Sequence, residues 1–575
     1  MKIDTEKRIV NNKIPLYPIA IIFIMIFTIW LGLLSVQSPE VVEEENRLES
    51  EFSTERAMEH LRVIGQKPHP TGSAENKKVQ TYLVNELESL GIKAEIQQAY
   101  VSNPKWNASA TIENVIGKIE GTDNSKAVML AAHYDTQPET PGVSDDGAAV
   151  AAILETIRAI QNGAPLKNDI IVLFTDGEEL GLLGAKGFVE ENPLAEEVGL
   201  VLNFEARGNK GPSMMFETSD PNQWLVNEFI EASSRPVGNS LLVSLYKEMP
   251  NDTDLTIFKE AGMPGLNFAF AEGLYAYHTM DDNLESFDER SLFHHGVHMY
   301  ELTNHFGNEN LSQVKEGSSV FFNFIGSSVI TYSESLVIPF TIMILMLFIV
   351  TFIHGKLKKE VSFIGMMGGI CIALFTIFIS FGMTSALWLM ITTLLPDKTW
   401  FIMSHLNYNY IYFIGFVFIS LALFILIYRL TSNKIKLWNL HLGALLIWTI
   451  LSVASGIYLP GSSYVFHWPL LFSLIGLNIA FITRTSTHSQ PVKHFYHSLF
   501  SIPGFILLTP ILYYLIVLMT IELAGILLVV VVLLLSLIIP ALPLVTYKRI
   551  WILPTILLLI GISSLIISSL IISTL

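Results

Sequence analysis

The chain has 575 residues, 51% of them hydrophobic, with a mean hydropathy of +0.47 and a formal net charge of −17. That hydropathy argues against a purely soluble protein, and the acidic balance argues against a nucleic-acid surface. Cys371 is the only cysteine, which rules out an intrachain disulfide.

The charge is unevenly spread. Residues 1–36 are net +2 and residues 317–575 net +7, leaving residues 37–316 at −26. The first apolar run, residues 17–36 (YPIAIIFIMIFTIWLGLLSV), is long enough to cross a bilayer. Its long apolar core and the lack of an A-x-A site favour an uncleaved anchor over a signal peptide. The stretches AMEHLRVI (57–64) and ENKKVQTYLVNELESLGI (75–92) have helical spacing of apolar residues. AVMLAAHYD (127–135), DIIVLFTD (169–176), VGLVLNFEA (198–206) and MPGLNFAF (263–270) are short apolar runs bounded by turn residues, the pattern of buried strands. AAVAAILETIRAI (148–160) lies between the first two as a helix. Strand–helix alternation predicts an α/β fold, a mostly parallel sheet covered by helices on both faces.

Eight further apolar runs follow residue 334, near 335–354, 362–390, 407–428, 438–458, 466–483, 499–518, 523–545 and 550–573. With the anchor they predict about nine spans. Apart from Lys398, which stands beside Asp397, the basic residues of the N-terminus and the C-terminal region fall on alternate loops: Lys2, Lys7, Arg8 and Lys13; Lys356, Lys358 and Lys359; Arg429, Lys434 and Lys436; Arg484 and Lys493; Lys548 and Arg549. The positive-inside rule then puts the N-terminus in the cytoplasm and residues 37–316 on the extracellular or lumenal side. The organisation expected is a cytoplasmic tail and anchor over 1–36, an outward domain over 37–316, and an all-α multi-span domain of about eight helices over 317–575.

The polar residues of the outward domain gather where its strands end. His133 and Asp135 close the first strand, two residues apart and so on the same side of an extended chain. Asp145 stands before the next helix, Glu178 and Glu179 follow the second strand, Glu205 the third, and His278 the fourth. Ligands of such sheets bind beyond the carboxyl ends of the strands. Carboxylates held together repel, and divalent cations remove that repulsion. Imidazole with carboxylate suits zinc, with manganese or cobalt as alternatives. Two metals sharing a carboxylate are a known arrangement for hydrolysis.

At AAHYDT, GVSDDGAA, FTDGEELGLLGAKGF, NFEARG and YHTMDD, with PHPTGS at 68–73 ahead of them, the chain resembles the di-zinc aminopeptidase family that includes bacterial leucyl aminopeptidases. The whole layout is similar to a membrane-bound subgroup, the vacuolar membrane proteases and the endoplasmic reticulum metallopeptidase. The resemblance implies a three-layer, zinc exopeptidase-like sandwich with two zinc ions per chain. It implies that His133 and Glu205 bind one zinc, Glu179 and His278 the other, and that Asp145 bridges them. Glu178 would be the general base and Asp135 would orient His133. Asp282 would do similar work near His278. Glu205 departs from the soluble members, which have Asp there, and agrees with the membrane-bound subgroup. Peptides are the implied substrates and the lipid bilayer the implied surroundings, in a bacterial cell membrane or, in a eukaryote, a vacuolar or endoplasmic reticulum membrane. Two alternatives stay open: a glutaminyl-cyclase-like acyltransferase and a non-catalytic binding scaffold.

Other positions carry weaker signals. Asp146 reads as a helix cap or surface acid. Asp252 and Asp254 read as caps of the helix LTIFKEAG or as pocket residues, and Tyr246 as packing or an oxyanion donor. Asn107, Asn251 and Asn310 begin N-x-[ST] sequons. The C-terminal spans show no acid or base that reads as a relay, which favours an anchor or scaffold over a transporter.

Overall fold

A computed structural model describes residues 16–42, 48–123, 126–313, 317–482, 490–545 and 551–574. Lys2, Lys7, Arg8, Lys13, Arg484, Lys548 and Arg549, used above to orient the chain, lie outside the described residues.

Seven strands form one mixed sheet: β1 (Ala94–Asn103), β2 (Ala108–Ile119), β3 (Ala127–His133), β4 (Asp169–Thr175), β5 (Val198–Ala206), β6 (Met214–Thr218) and β7 (Gly265–Phe270), in the order β1-β2-β4-β3-β5-β7-β6. The four central strands β4, β3, β5 and β7 are parallel, as their continuous apolar runs require. The edges are antiparallel: β1 pairs with β2, β2 with β4, and β6 with β7. These edge strands form no continuous apolar run: β1 and β2 mix exposed and buried residues, and β6 has only five residues.

Helices cover both faces, giving three layers. On one face helix Ala148–Gln161 packs against helices Thr54–Ile64 and Glu289–Phe306. On the other, helix Leu183–Glu191 packs against helix Asp254–Glu260. Every residue of β3, β4, β5 and β7 is buried. Each large apolar side chain sequestered there stabilises the fold by about 1.5–3 kcal/mol relative to exposure. The chemistry-bearing strand ends thus rest on a rigid platform.

Among the described residues eight helices are long and apolar enough to cross a membrane, the first of them Tyr17–Val36. The expected ninth, in the 523–545 run, is divided. Helix Ala524–Ser536 has 13 residues and is followed by a tight turn, Ile539–Ala541, and a short helix, Leu542–Val545. Pro540 lacks the N–H that a continuous helix needs. Thirteen residues rise only about 20 Å, short of the roughly 30 Å hydrocarbon core. The segment after residue 317 is also not wholly helical, because it opens with an antiparallel hairpin of β8 (Ser319–Ile325) and β9 (Ser328–Ser333).

The first helix is no isolated tether. A Cβ at Gly32 would stand 2.9 Å from the Ile506 carbonyl oxygen, so it packs closely on helix Ile502–Met519. The helical region touches the sheet domain at several points. Ser240 Oγ donates to the Gly461 carbonyl at 2.6 Å. Tyr464 stacks on Phe322 of the hairpin at 4.3 Å, and Tyr275 stacks on His405 at 4.8 Å. Tyr513 donates a hydrogen bond to Glu272. Two basic loops meet each other, with Lys436 Nζ donating to the Lys359 carbonyl at 2.8 Å.

Candidate metal centre and active site

The parallel strands deliver the cluster. His133 is the last residue of β3, and Glu205 lies at the end of β5. After β4 the chain turns through Gly177, whose φ of +80° is a conformation other residues adopt only with strain, and Glu178 and Glu179 start the next helix. His278 lies on the connection after β7, its ring stacked on Tyr277 at 3.8 Å.

Asp145 is the centre of the arrangement. Its Oδ1 lies 3.1 Å from His133 Nε2, and its Oδ2 lies 3.3 Å from His278 Nε2. Glu205 Oε2 is 3.8 Å from His133 Nε2, and Glu179 Oε2 is 3.3 Å from His278 Nε2. Among the described residues, two triads bring their ligand atoms within 4.8 Å of one another: His133, Asp145 and Glu205; and Asp145, Glu179 and His278. One residue belongs to both.

This donor set fits two divalent cations. Donors of a tetrahedral zinc site at bond lengths near 2.1 Å stand roughly 3.4 Å apart, and the separations here run from 3.1 to 3.8 Å. Glu179 Oε1 is buried without a hydrogen-bond partner. The titration behaviour points the same way. Burial, opposed by His133 and reinforced by Asp145 and Asp254, pushes the Glu205 carboxyl up to about 8. Burial and the neighbouring carboxylates Glu205, Glu179 and Asp254 hold Glu178 well above its ordinary value. Burial opposes ionisation of Asp145, but the two imidazoles outweigh it and hold that carboxyl near about 2. Burial works to lower His278, yet Asp145 and Glu179 raise it to about 10. Without a cation, protons must neutralise the crowd.

The supporting residues differ in part from the sequence reading. The closest partner of His133 Nδ1 is the main-chain carbonyl of Asp135 at 2.9 Å, whereas the Asp135 carboxylate is 3.6 Å away. That carboxylate instead accepts from the main-chain N–H groups of Glu178 at 3.1 Å and Glu179 at 3.3 Å, and from Thr71 Oγ1 at 3.2 Å. Thr71 gives the PHPTGS stretch a role beside the site. Asp282 does not support His278. It accepts from the main-chain N–H groups of Ser144 at 2.7 Å and Asp145 at 3.1 Å. Asp146 is not a surface acid but is fully buried, accepting from the His133 N–H at 3.3 Å. Thr253, not Asp254, caps the helix Asp254–Glu260, in a capping box with Thr256. Asp254 accepts from Thr175 Oγ1 at 2.5 Å, and Asp252 pairs with Lys105 at 2.5 Å. Gln137, which the sequence did not single out, donates to Glu179 Oε2 at 2.8 Å.

The cluster opens into a cavity of about 340 Å³ lined by Asp145, Glu178, Glu179, Glu205, Tyr246 and His278, among others. The Tyr246 hydroxyl is buried with no hydrogen-bond partner, and its ring meets Phe216 edge-on at 4.8 Å.

Residues 114–303 match the sequence model of Peptidase family M28. The chain carries a Peptidase M28 domain. That span contains every residue of the cluster. Among curated proteins, the chain is 26% identical over 483 residues to endoplasmic reticulum metallopeptidase 1 of Rattus norvegicus, covering 79% of this chain and 53% of that protein. It is 28% identical over 363 residues to the vacuolar membrane protease of Candida dubliniensis, covering 60% and 38%. The chain therefore spans at most about half the length of these relatives. Among solved structures, a Zn-dependent exopeptidase from Parabacteroides distasonis is 20% identical over 45% of this chain and 99% of that one, with a TM-score of 0.37. Porphyromonas gingivalis glutaminyl cyclase is 19% identical over 44% and 98%, also with a TM-score of 0.37.

Proposed function

We propose that the protein is a membrane-anchored zinc aminopeptidase that holds two zinc ions and removes N-terminal residues from peptides. The observation that carries this is the sharing of Asp145 between two triads. His133 and Glu205 would hold one zinc, Glu179 and His278 the other, with Asp145 between them. Zinc bound there supplies Lewis acidity, polarising a carbonyl and making water acidic enough to attack near neutral pH.

The chain's own residues do the rest. Glu178 takes the proton of the attacking water and delivers it to the leaving amine. Asp135 fixes the start of the helix bearing Glu178 through the two main-chain N–H groups it accepts from. Tyr246 donates a hydrogen bond to the oxygen that gains charge. The cavity, near the small end of the ~300–1,000 Å³ common for ligand pockets, suits a terminal residue better than a long extended chain.

The sheet domain, residues 37–316, lies on the extracellular or lumenal side in this reading, with residues 1–36 as tail and anchor and 317–575 as the helical membrane domain. The meeting of Lys436 with the 358–362 loop is consistent with both being on the cytoplasmic side. The glutaminyl-cyclase alternative needs one zinc, and the presence of both triads speaks against it.

The test uses the purified full chain with zinc and peptides of free and acetylated N-termini. Release of the first residue from the free peptides alone supports the proposal. Cleavage of acetylated peptides internally would overturn the aminopeptidase assignment, and pyroglutamate formation from N-terminal Gln would overturn hydrolysis.

A further inference from the structure

The cavity beside the cluster has two kinds of wall. Carboxylates and His278 form one side. The other is apolar, and part of it comes from a helix of the membrane region: Leu515, Leu518 and Met519. These three close the helix Ile502–Met519. Their spacing of three and four residues puts them on one face of that helix, and each is only partly buried and lines the cavity. Met214, Phe216, Leu242 and Leu245 of the sheet domain face the same space. Leu518 packs in one cluster with Met214, Leu242, Phe216 and Leu245. That cluster also includes Val36 at the end of the first membrane helix.

The helix end is held in place. Tyr513 hydrogen-bonds Glu272, on the connection that leads from β7 to His278. Tyr514 is buried in the same apolar cluster as Met214 and Leu242. A wall on an anchored helix is more sharply defined than one on a free loop.

We propose that Leu515, Leu518 and Met519 complete the substrate pocket, and that this membrane helix sets the size of the apolar side chain accepted next to the metal centre. The helical region then contributes to specificity as well as anchoring. The proposal rests on the peptidase reading for the identity of its ligand, a peptide with an apolar first residue. Apolar pockets discriminate by fit: one methylene is worth about 10–200-fold at best. Bulk added at Leu518 takes up the space a Leu side chain would occupy, and bulk removed at Met519 makes room for a larger one.

The experiment measures binding, so that turnover is not needed. Leu-Gly-Gly, Ala-Gly-Gly and Phe-Gly-Gly are titrated calorimetrically into zinc-loaded, full-length Glu178→Gln protein in lipid nanodiscs. The same titrations are run with Leu518→Trp or Met519→Ala added. Leu518→Trp is expected to reduce the Leu-over-Ala affinity ratio about tenfold. Met519→Ala is expected to shift preference from Leu toward Phe, which keeps the proposal open to refutation if the Trp variant does not fold. Ratios unchanged in either folded variant, or no Leu-over-Ala preference in the parent, would overturn the proposal. If the chain with Glu178 intact binds these peptides with the expected ratios yet never cleaves them, the peptidase reading fails and the wall assignment stands.

Discussion

Asp282 grips Asp145 by its backbone: the Asp282 carboxylate accepts from the Ser144 N–H at 2.7 Å and from the Asp145 N–H at 3.1 Å. The residue shared by both triads is thus held by an acid 137 positions further along the chain. Removing this support by Asp282→Ala should lower zinc affinity by about 10–100-fold, the usual cost of losing a partner that positions a ligand. Titration against a buffered chelator measures it. Unchanged affinity would mean that the loop of Asp145 is fixed by its packing alone.

The adjacent glutamates should separate in behaviour. Glu178→Gln should keep zinc and lose about 10²–10⁴-fold in kcat, the range for general acid–base catalysis. Glu179→Gln should lose zinc, because its carboxylate belongs to a triad with Asp145 and His278. Metal analysis of both purified variants, beside their turnover, distinguishes the roles. Equal zinc loss in the two would contradict them.

Tyr246→Phe removes a buried hydroxyl that has no partner of its own. As an oxyanion donor it should cost about 10²–10³-fold in kcat with little change in KM. A changed KM with kcat intact would instead make Tyr246 a packing residue against Phe216.

Metal-free protein should lose stability as pH rises from about 6.5 to 8. Glu205 moves from an ordinary value of 4.5 to about 8 in the folded chain, and burial raises Asp282 and Asp176 from 3.8 to about 7. Groups raised on folding contribute fully below their unfolded values, and that contribution is lost as pH climbs through the folded ones. Asp145, held at about 2, and His60, His295 and His298, which burial lowers to about 4, 3 and 4, have the opposite sign but act below this window. Zinc replaces the shared protons, so the stabilisation it gives should grow over the same range. Thermal unfolding with and without zinc at pH 5, 6, 7 and 8 reads this directly. A zinc effect independent of pH would contradict it.

Much of the site was legible because its chemistry sits at the ends of buried parallel strands. β3, β4, β5 and β7 announce themselves as apolar runs, and His133, Glu178, Glu179, Glu205 and His278 stand where those runs stop. The half-exposed edge strands β1 and β2 and the five-residue β6 carry no such signal. Partners that act through the main chain were also hidden. Asp135 serves the N–H groups of Glu178 and Glu179, and Asp282 those of Ser144 and Asp145, and no side-chain pattern encodes these pairings. Asp146 reads as a helix cap or surface acid because sequence shows its charge but not its burial. The break in the 523–545 run was hidden because hydropathy averages over Pro540. Leu515, Leu518 and Met519 could not be picked out, since apolar residues in a membrane helix look alike whether they face lipid, protein or a cavity.

Zinc stoichiometry on the purified full chain tests the central claim most directly. Two zinc ions per chain are predicted by elemental analysis after equilibration at limiting free zinc. His133→Ala and His278→Ala are each predicted to reduce the count to one, and Asp145→Ala to weaken both sites. A parent chain that holds no zinc, or that hydrolyses peptides fully after its metal has been removed, would contradict the account.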